Sequence, residues 1–137
     1  MPTGKPVVAV LDDEPEMRKA LRRLLKCQGF SVEEFACGED LLSALKSQTL
    51  DYVLLDLHMP GLNGFDILEM LHARKSPIPI IVITAYDEPG TADRVRSLGA
   101  SACLKKPVDR SALMTAMNAA RPAIPAVWGE HPRDGAC

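Results

Sequence analysis

No stretch of this sequence is apolar for long enough to span a bilayer, which excludes a membrane-crossing helix. The opening Met1-Pro2-Thr3-Gly4-Lys5 lacks the features of a signal peptide, so the cytoplasm is the expected compartment. An excess of one charge is missing as well. Sixteen basic and 18 acidic residues leave a formal net charge of -2, with no electrostatic footprint for nucleic acid or an anionic membrane. Neither is an expected partner. The four cysteines, Cys27, Cys37, Cys103 and Cys137, show no C-x-x-C spacing and no histidines at metal-ligand spacing, so zinc and dithiol redox chemistry are not expected. Cys27 and Cys103 lie among apolar residues and read as small core side chains. Cys37 precedes a helical stretch and is expected to stand in for a cap.

What remains is ordinary globular composition, 47% hydrophobic and 25% charged in 137 residues, enough for one domain. Pro6 to Leu11 is a short apolar run, as in a fully buried strand, and it ends in Asp12-Asp13-Glu14. Pro15 suits a first helical turn; Met17, Leu21, Leu24 and Leu25 follow at helical spacing, and Gly29 stops the helix. Phe30 to Phe35 alternates like a strand with one side exposed. Gly38 to Lys46 reads as a helix with Leu41, Leu42 and Leu45 inward.

Tyr52 to Leu55 form the next buried strand, and Asp56 ends it. A Met59-Pro60-Gly61 turn and Gly64 lead to a helix carrying Phe65, Ile67, Leu68 and Leu71. Pro77 to Ile83 gives another strand, ending in Thr84. A weaker helix runs through Val95 and Leu98; Ala102 to Leu104 is a short strand before Lys105-Lys106-Pro107. Asp109 caps a last helix with Leu113, Ala116 and Met117 inward. Residues 1–121 therefore form the domain, and 122–137 read as a loose tail. Strict alternation of strand and helix predicts an α/β fold, a doubly wound five-stranded parallel sheet covered on both faces.

In such sheets chemistry sits at the C-terminal strand ends. Here those ends carry Asp12, Asp13, Asp56, Thr84 and Lys106. Clustered carboxylates raise one another's pKa unless a cation neutralises them. A hard ion such as Mg²⁺ suits such a set and could draw charge from a phosphoryl group. Lys106 and Thr84 can serve the same group as point cation and hydrogen-bond donor. Asp12 and Asp13 look like the metal pair, and Asp56, on the central strand, is the candidate nucleophile for an aspartyl phosphate.

Asp12-Asp13-Glu14, Leu55-Asp56 through Pro60-Gly61 and Gly64, Ile83-Thr84-Ala85, and Gly99-Ala100 with Lys106-Pro107 together resemble the response-regulator receiver domain of two-component signalling, over about residues 5–121. The resemblance implies the flavodoxin-like (βα)5 fold and Asp56 as phosphoacceptor. The donor would be a phosphohistidine on a sensor histidine kinase or histidine phosphotransfer protein. It implies Mg²⁺, with Mn²⁺ as a substitute, held directly by Asp13, Asp56 and the His58 carbonyl, and by Asp12 mainly through water. Thr84 and Lys106 would grip the phosphoryl oxygens, and the Lys106–Pro107 peptide would be cis. The helix following Asp12-Asp13-Glu14 docks the donor in this family, which places Met17 and Arg18 near it.

The sequence departs from the family at two positions. The aromatic usual three residues before the site lysine is Cys103, and Val108 replaces a common Phe. Tyr86 could supply a substitute aromatic. His58 and Tyr86, two residues after the site Asp and Thr, are bulky and are expected to obstruct the attacking water. The expected function is a switch of protein–protein contacts acting on an unidentified downstream protein, with a phosphorylation-dependent dimer as one form of output. It would not be a turnover enzyme, catalysing only its own phosphorylation and dephosphorylation. The alternatives are a pseudo-receiver that only binds protein, and a haloacid-dehalogenase-like phosphatase. The latter needs a second acid where this chain has His58.

Overall fold

The computed structural model describes residues 5–85 and 88–120. Tyr86 and residues 122–137, with Trp128 and Cys137, lie outside the described residues. The elements alternate throughout: β1 (Val7–Leu11), α1 (Pro15–Cys27), β2 (Ser31–Phe35), α2 (Gly38–Ser47), β3 (Tyr52–Asp56), α3 (Gly64–Ala73), β4 (Ile80–Thr84), α4 (Thr91–Ser97), β5 (Ala102–Lys105) and α5 (Arg110–Ala120). The strands form one parallel sheet in the order β2-β1-β3-β4-β5, with β3 at its centre.

The period of two in the strands divides the core between the two faces. Ala9, Leu11, Val53, Leu55 and Val82 pack with Leu41, Ile67, Leu68 and Val95, so α2, α3 and α4 cover one face. Val8, Val10, Leu54, Ile81 and Ile83 pack with Leu21, Leu25, Leu113 and Met117, so α1 and α5 cover the other. β3 and β4 are buried along their whole length, which is why they read as continuous apolar runs. On the α1–α5 face the buried Tyr52 hydroxyl donates to the Met117 carbonyl at 2.9 Å and ties α5 to the central strand.

Local chemistry explains most of the boundaries. Asn63 and Asp66 form a reciprocal capping box at the start of α3. Asp109 accepts from the Ala112 N–H at 2.9 Å at the start of α5. Gly29, at φ 95°, ends α1. Three expectations need correction. β4 begins at Ile80 rather than Pro77, because Pro77 and Pro79 have no N–H to give a ladder. β2 begins at Ser31, since the Phe30 N–H closes the preceding helix on the Leu25 carbonyl. Cys37 holds the N-cap position of α2 but its side chain makes no capping bond. Cys27 and Cys103 are only partly buried. No helix among the described residues is long and apolar enough to cross a membrane.

Candidate functional site

Parallel pairing brings the strand exits to a common edge. Leu11 is in register with Leu55, Asp56 with Ile83, and Thr84 with Lys105. Asp12, Asp56, Thr84 and Lys106 thus leave four neighbouring strands side by side. Among the described residues, and leaving aside the Tyr52 hydroxyl, the buried polar or charged side chains are Asp12 (2% exposed), Asp56 (5%) and Thr84 (3%). Polar groups avoid burial unless they are paired or have work to do. One oxygen from each of Asp12, Asp13 and Asp56 lies within 4.8 Å of the others, with Asp13 exposed at the mouth.

Lys106 joins the acids. Its Nζ lies 3.0 Å from Asp12 Oδ2, 3.3 Å from Glu14 Oε1 and 3.7 Å from Asp56 Oδ1, and its side chain is 13% exposed. The Lys106 N–H donates to the Thr84 carbonyl at 2.8 Å, which fixes the lysine beside the end of β4. The Lys106–Pro107 peptide is cis. Burial pulls the Lys106 pKa down, but Asp12, Asp56 and Glu14 outweigh it and hold the ammonium above the usual lysine range. Asp56 is pushed from 3.8 up to about 6, first by burial and then by the charge of Asp12, with Asp13 adding a little. Lys106 and the His58 N–H, which reaches Asp56 Oδ1 at 3.4 Å, pull the other way. A carboxylate that is short of compensating charge is poised to take a cation.

The surroundings are closely built. Gly64, at the start of α3, packs against the Asp56–Leu57 backbone so closely that a Cβ there would overlap the Asp56 carbonyl oxygen. The ring of His58 lies edge-on to Phe65 with centroids 6.5 Å apart, and the Arg94 guanidinium sits 4.0 Å over that same ring. The loop after Asp56 is therefore in contact with α3 and, through Phe65, with α4. Cys103, in register with Val82, packs half-buried against the α2–α4 side of the core. A cleft of about 300 Å³ opens there, with Thr84, Thr91, Cys103 and Lys105 in its walls.

The expected residues Asp12, Asp13, Asp56, Thr84 and Lys106 thus come together, and His58 and Pro107 adjoin them. Tyr86 falls outside the described residues. Sequence reasoning gave two contributors no part in the site. Glu14 was one of three adjacent acids with no assigned partner, and nothing local announces an ion pair with a lysine 92 positions away. Arg18, expected near the donor, also donates Nη1 to the Asp12 carbonyl at 2.6 Å. A signal for it existed, since side chains in a first turn lean toward the helix N-terminus and hence toward the loop that enters it.

Comparison with known proteins points the same way. The family described as the response regulator receiver domain matches residues 8–118. The transcriptional regulatory protein FixJ of Bradyrhizobium diazoefficiens is 37% identical over 130 residues, covering 93% of this chain and 63% of FixJ. The DNA-binding transcriptional regulator NtrC of Escherichia coli is 35% identical over 103 residues, 75% of this chain and 22% of NtrC. The chain spans less than two thirds of the length of either relative. A crystal structure of FixJ-N superposes with a TM-score of 0.79 at 28% identity, covering 90% of this chain and 99% of that one. The Vibrio cholerae chemotaxis protein CheY4 shares the fold, with a TM-score of 0.78 at 23% identity over 85% of this chain and 99% of its own. The chain belongs to the receiver-domain family of two-component response regulators.

Proposed function

We propose that this receiver takes a phosphoryl group onto Asp56 from a phosphohistidine of a sensor kinase or phosphotransfer protein, with Mg²⁺ at the adjoining acids. The observation that carries the reading is the burial of Asp12, Asp56 and Thr84 together at one sheet edge, beside Lys106. In the transfer, an Asp56 oxygen forms a bond to phosphorus as the phosphorus–nitrogen bond breaks. The departing imidazole keeps that electron pair and can take a proton from solvent. Asp56 must be ionised to attack, and Lys106 and the His58 N–H both favour that form.

The donor set fits the metal. Three carboxylate oxygens within reach of one another are hard ligands of the kind Mg²⁺ prefers. Asp12 already uses Oδ1 to accept from the Glu14 N–H at 2.9 Å and Oδ2 to meet Lys106. Asp13, Asp56 and the His58 carbonyl would ligate the ion directly, as the family resemblance implies, and Asp12 would act through water. Bound there, the ion would neutralise the acids and draw charge from the phosphoryl oxygens. Lys106 would hold one such oxygen, and Thr84, ending the neighbouring strand, would donate to another.

The chain would act only on itself, adding and losing one phosphoryl group, and would pass the change to another protein. FixJ and NtrC are transcriptional regulators; with a net charge of -2 this chain would reach such an output through a further domain or protein rather than by touching DNA. The test is transfer from a phosphorylated histidine-containing donor, with and without EDTA. Label should leave the donor and appear on the chain only when Mg²⁺ is present. Label that stays on the donor in both arms would count against the reading.

A further inference from the structure

We infer that Arg18 is a positioning residue for this site, acting through the peptide unit that carries Asp13. The inference rests on the proposed function above, and concerns the same acids. The β1 ladder ends at Leu11, opposite Phe35, so the Asp12 carbonyl lies beyond the sheet. Its partner is Arg18 Nη1, at 2.6 Å, a short bond of the charge-assisted kind. The Asp12 N–H donates to the Phe35 carbonyl at 3.2 Å. The Asp12 backbone is thereby held at both ends, by β2 and by α1.

The carbonyl of Asp12 and the N–H of Asp13 share one planar peptide. Holding that oxygen therefore fixes the plane from which the Asp13 side chain departs. Asp13 is the exposed member of the acid cluster and has less packing around it than Asp12 or Asp56. The guanidinium also approaches β2: Arg18 Nε lies 3.7 Å from Glu34 Oε1, whose other oxygen meets Arg22 Nη1 at 2.7 Å. An exposed Arg22–Glu34 pair contributes little by itself. Arg18 differs because its side chain is only 17% exposed and its bond goes to the main chain next to the acids. A lysine has no planar fork with which to serve a carbonyl and a carboxylate together.

The experiment uses the full chain with Mg²⁺ as the probe, following the amide NMR shifts of Asp13 and Asp56 during titration. Wild type, Arg18→Met, Arg18→Lys and Arg22→Met are compared, with urea unfolding to check stability and with amide exchange at Asp12 to Glu14 in metal-free protein. Arg18→Met should bind Mg²⁺ about tenfold more weakly, the lower end of what loss of an outer support costs. Its 12–14 amides should exchange faster. Arg18→Lys should fall between, and Arg22→Met should match wild type in both readouts. Should Arg18→Met prove unfolded, Arg18→Lys decides alone. Wild-type affinity and exchange in a folded Arg18 variant would overturn the inference, as would an equal loss in Arg22→Met. Failure of the wild type itself to bind Mg²⁺ is a different result, which removes the proposed function and this role with it.

Discussion

Lys106 rests closer to Asp12 than to Asp56: its Nζ is 3.0 Å from Asp12 Oδ2 and 3.7 Å from Asp56 Oδ1. The cation is spread over three acids, Glu14 included, and the central one is left undercompensated. Burial first, and then the charge of Asp12, push Asp56 up to about 6, and Lys106 offsets them only in part. A phosphoryl group on Asp56 would offer Lys106 a stronger anion on that side.

Asp56 carries a measurable cost of folding. Its folded pKa, about 6, lies above its ordinary value of 3.8, so the folded state holds the extra proton between those pH values. Stability without Mg²⁺ should therefore fall as pH rises from 4 to 6. By linkage the loss amounts to roughly 3 kcal/mol. Asp56→Asn should remove most of that loss, being more stable than wild type at pH 8 and nearly equal at pH 4. Urea unfolding at both pH values reads it; a mutant less stable than wild type at pH 8 would contradict the assignment.

Lys106→Met should act in the opposite sense. Removing the cation leaves buried acids facing one another, a loss of about 3 kcal/mol at pH 8. Protonation of Asp56 relieves the repulsion, so the loss should shrink by pH 4. The same unfolding series checks it, and an equal loss at both pH values would show that Lys106 matters only for packing.

The strand ends were legible because the apolar runs of β1, β3 and β4 stop abruptly at Asp12, Asp56 and Thr84. A parallel sheet then brings such ends together without further information. Side-chain direction was not legible. Helical period placed Arg18 on a polar face, where most arginines are solvated, and could not tell that its guanidinium turns back to Asp12. Nor could spacing foresee Phe65 in contact with both His58 and Arg94, which depends on how α3 and α4 pack. Cys37 failed as a cap for a simpler reason: a thiol is a weak acceptor for a backbone N–H.

Two glycines next to the site should behave differently. At Gly64 an added Cβ would meet the Asp56 carbonyl oxygen and lie 2.6 Å from Leu57 Cα, with backbone on both counts. Gly64→Ala should cost about 3 kcal/mol and slow phosphorylation by shifting Asp56. Gly61 has φ 73° and open space around it, so Gly61→Ala should cost only about 1 kcal/mol. Thermal unfolding of the two variants separates them, and similar losses would show that the close approach at Gly64 relaxes easily.

His58 follows Asp56 by two residues, and its ring stands edge-on to Phe65. Held there, it should obstruct water approaching a phosphorylated Asp56. His58→Ala should shorten the phosphoryl lifetime, followed by the decay of labelled protein after the donor is removed. An unchanged or longer lifetime would show that the ring does not screen the site.

The most direct measurement is intact-mass analysis after incubation with acetyl phosphate, with and without Mg²⁺, beside Asp56→Asn. The account predicts a Mg²⁺-dependent gain of one phosphoryl group in the wild type and none in the mutant. A gain that survives Asp56→Asn would contradict it, as would a wild-type chain that accepts phosphate from neither acetyl phosphate nor a phosphohistidine donor.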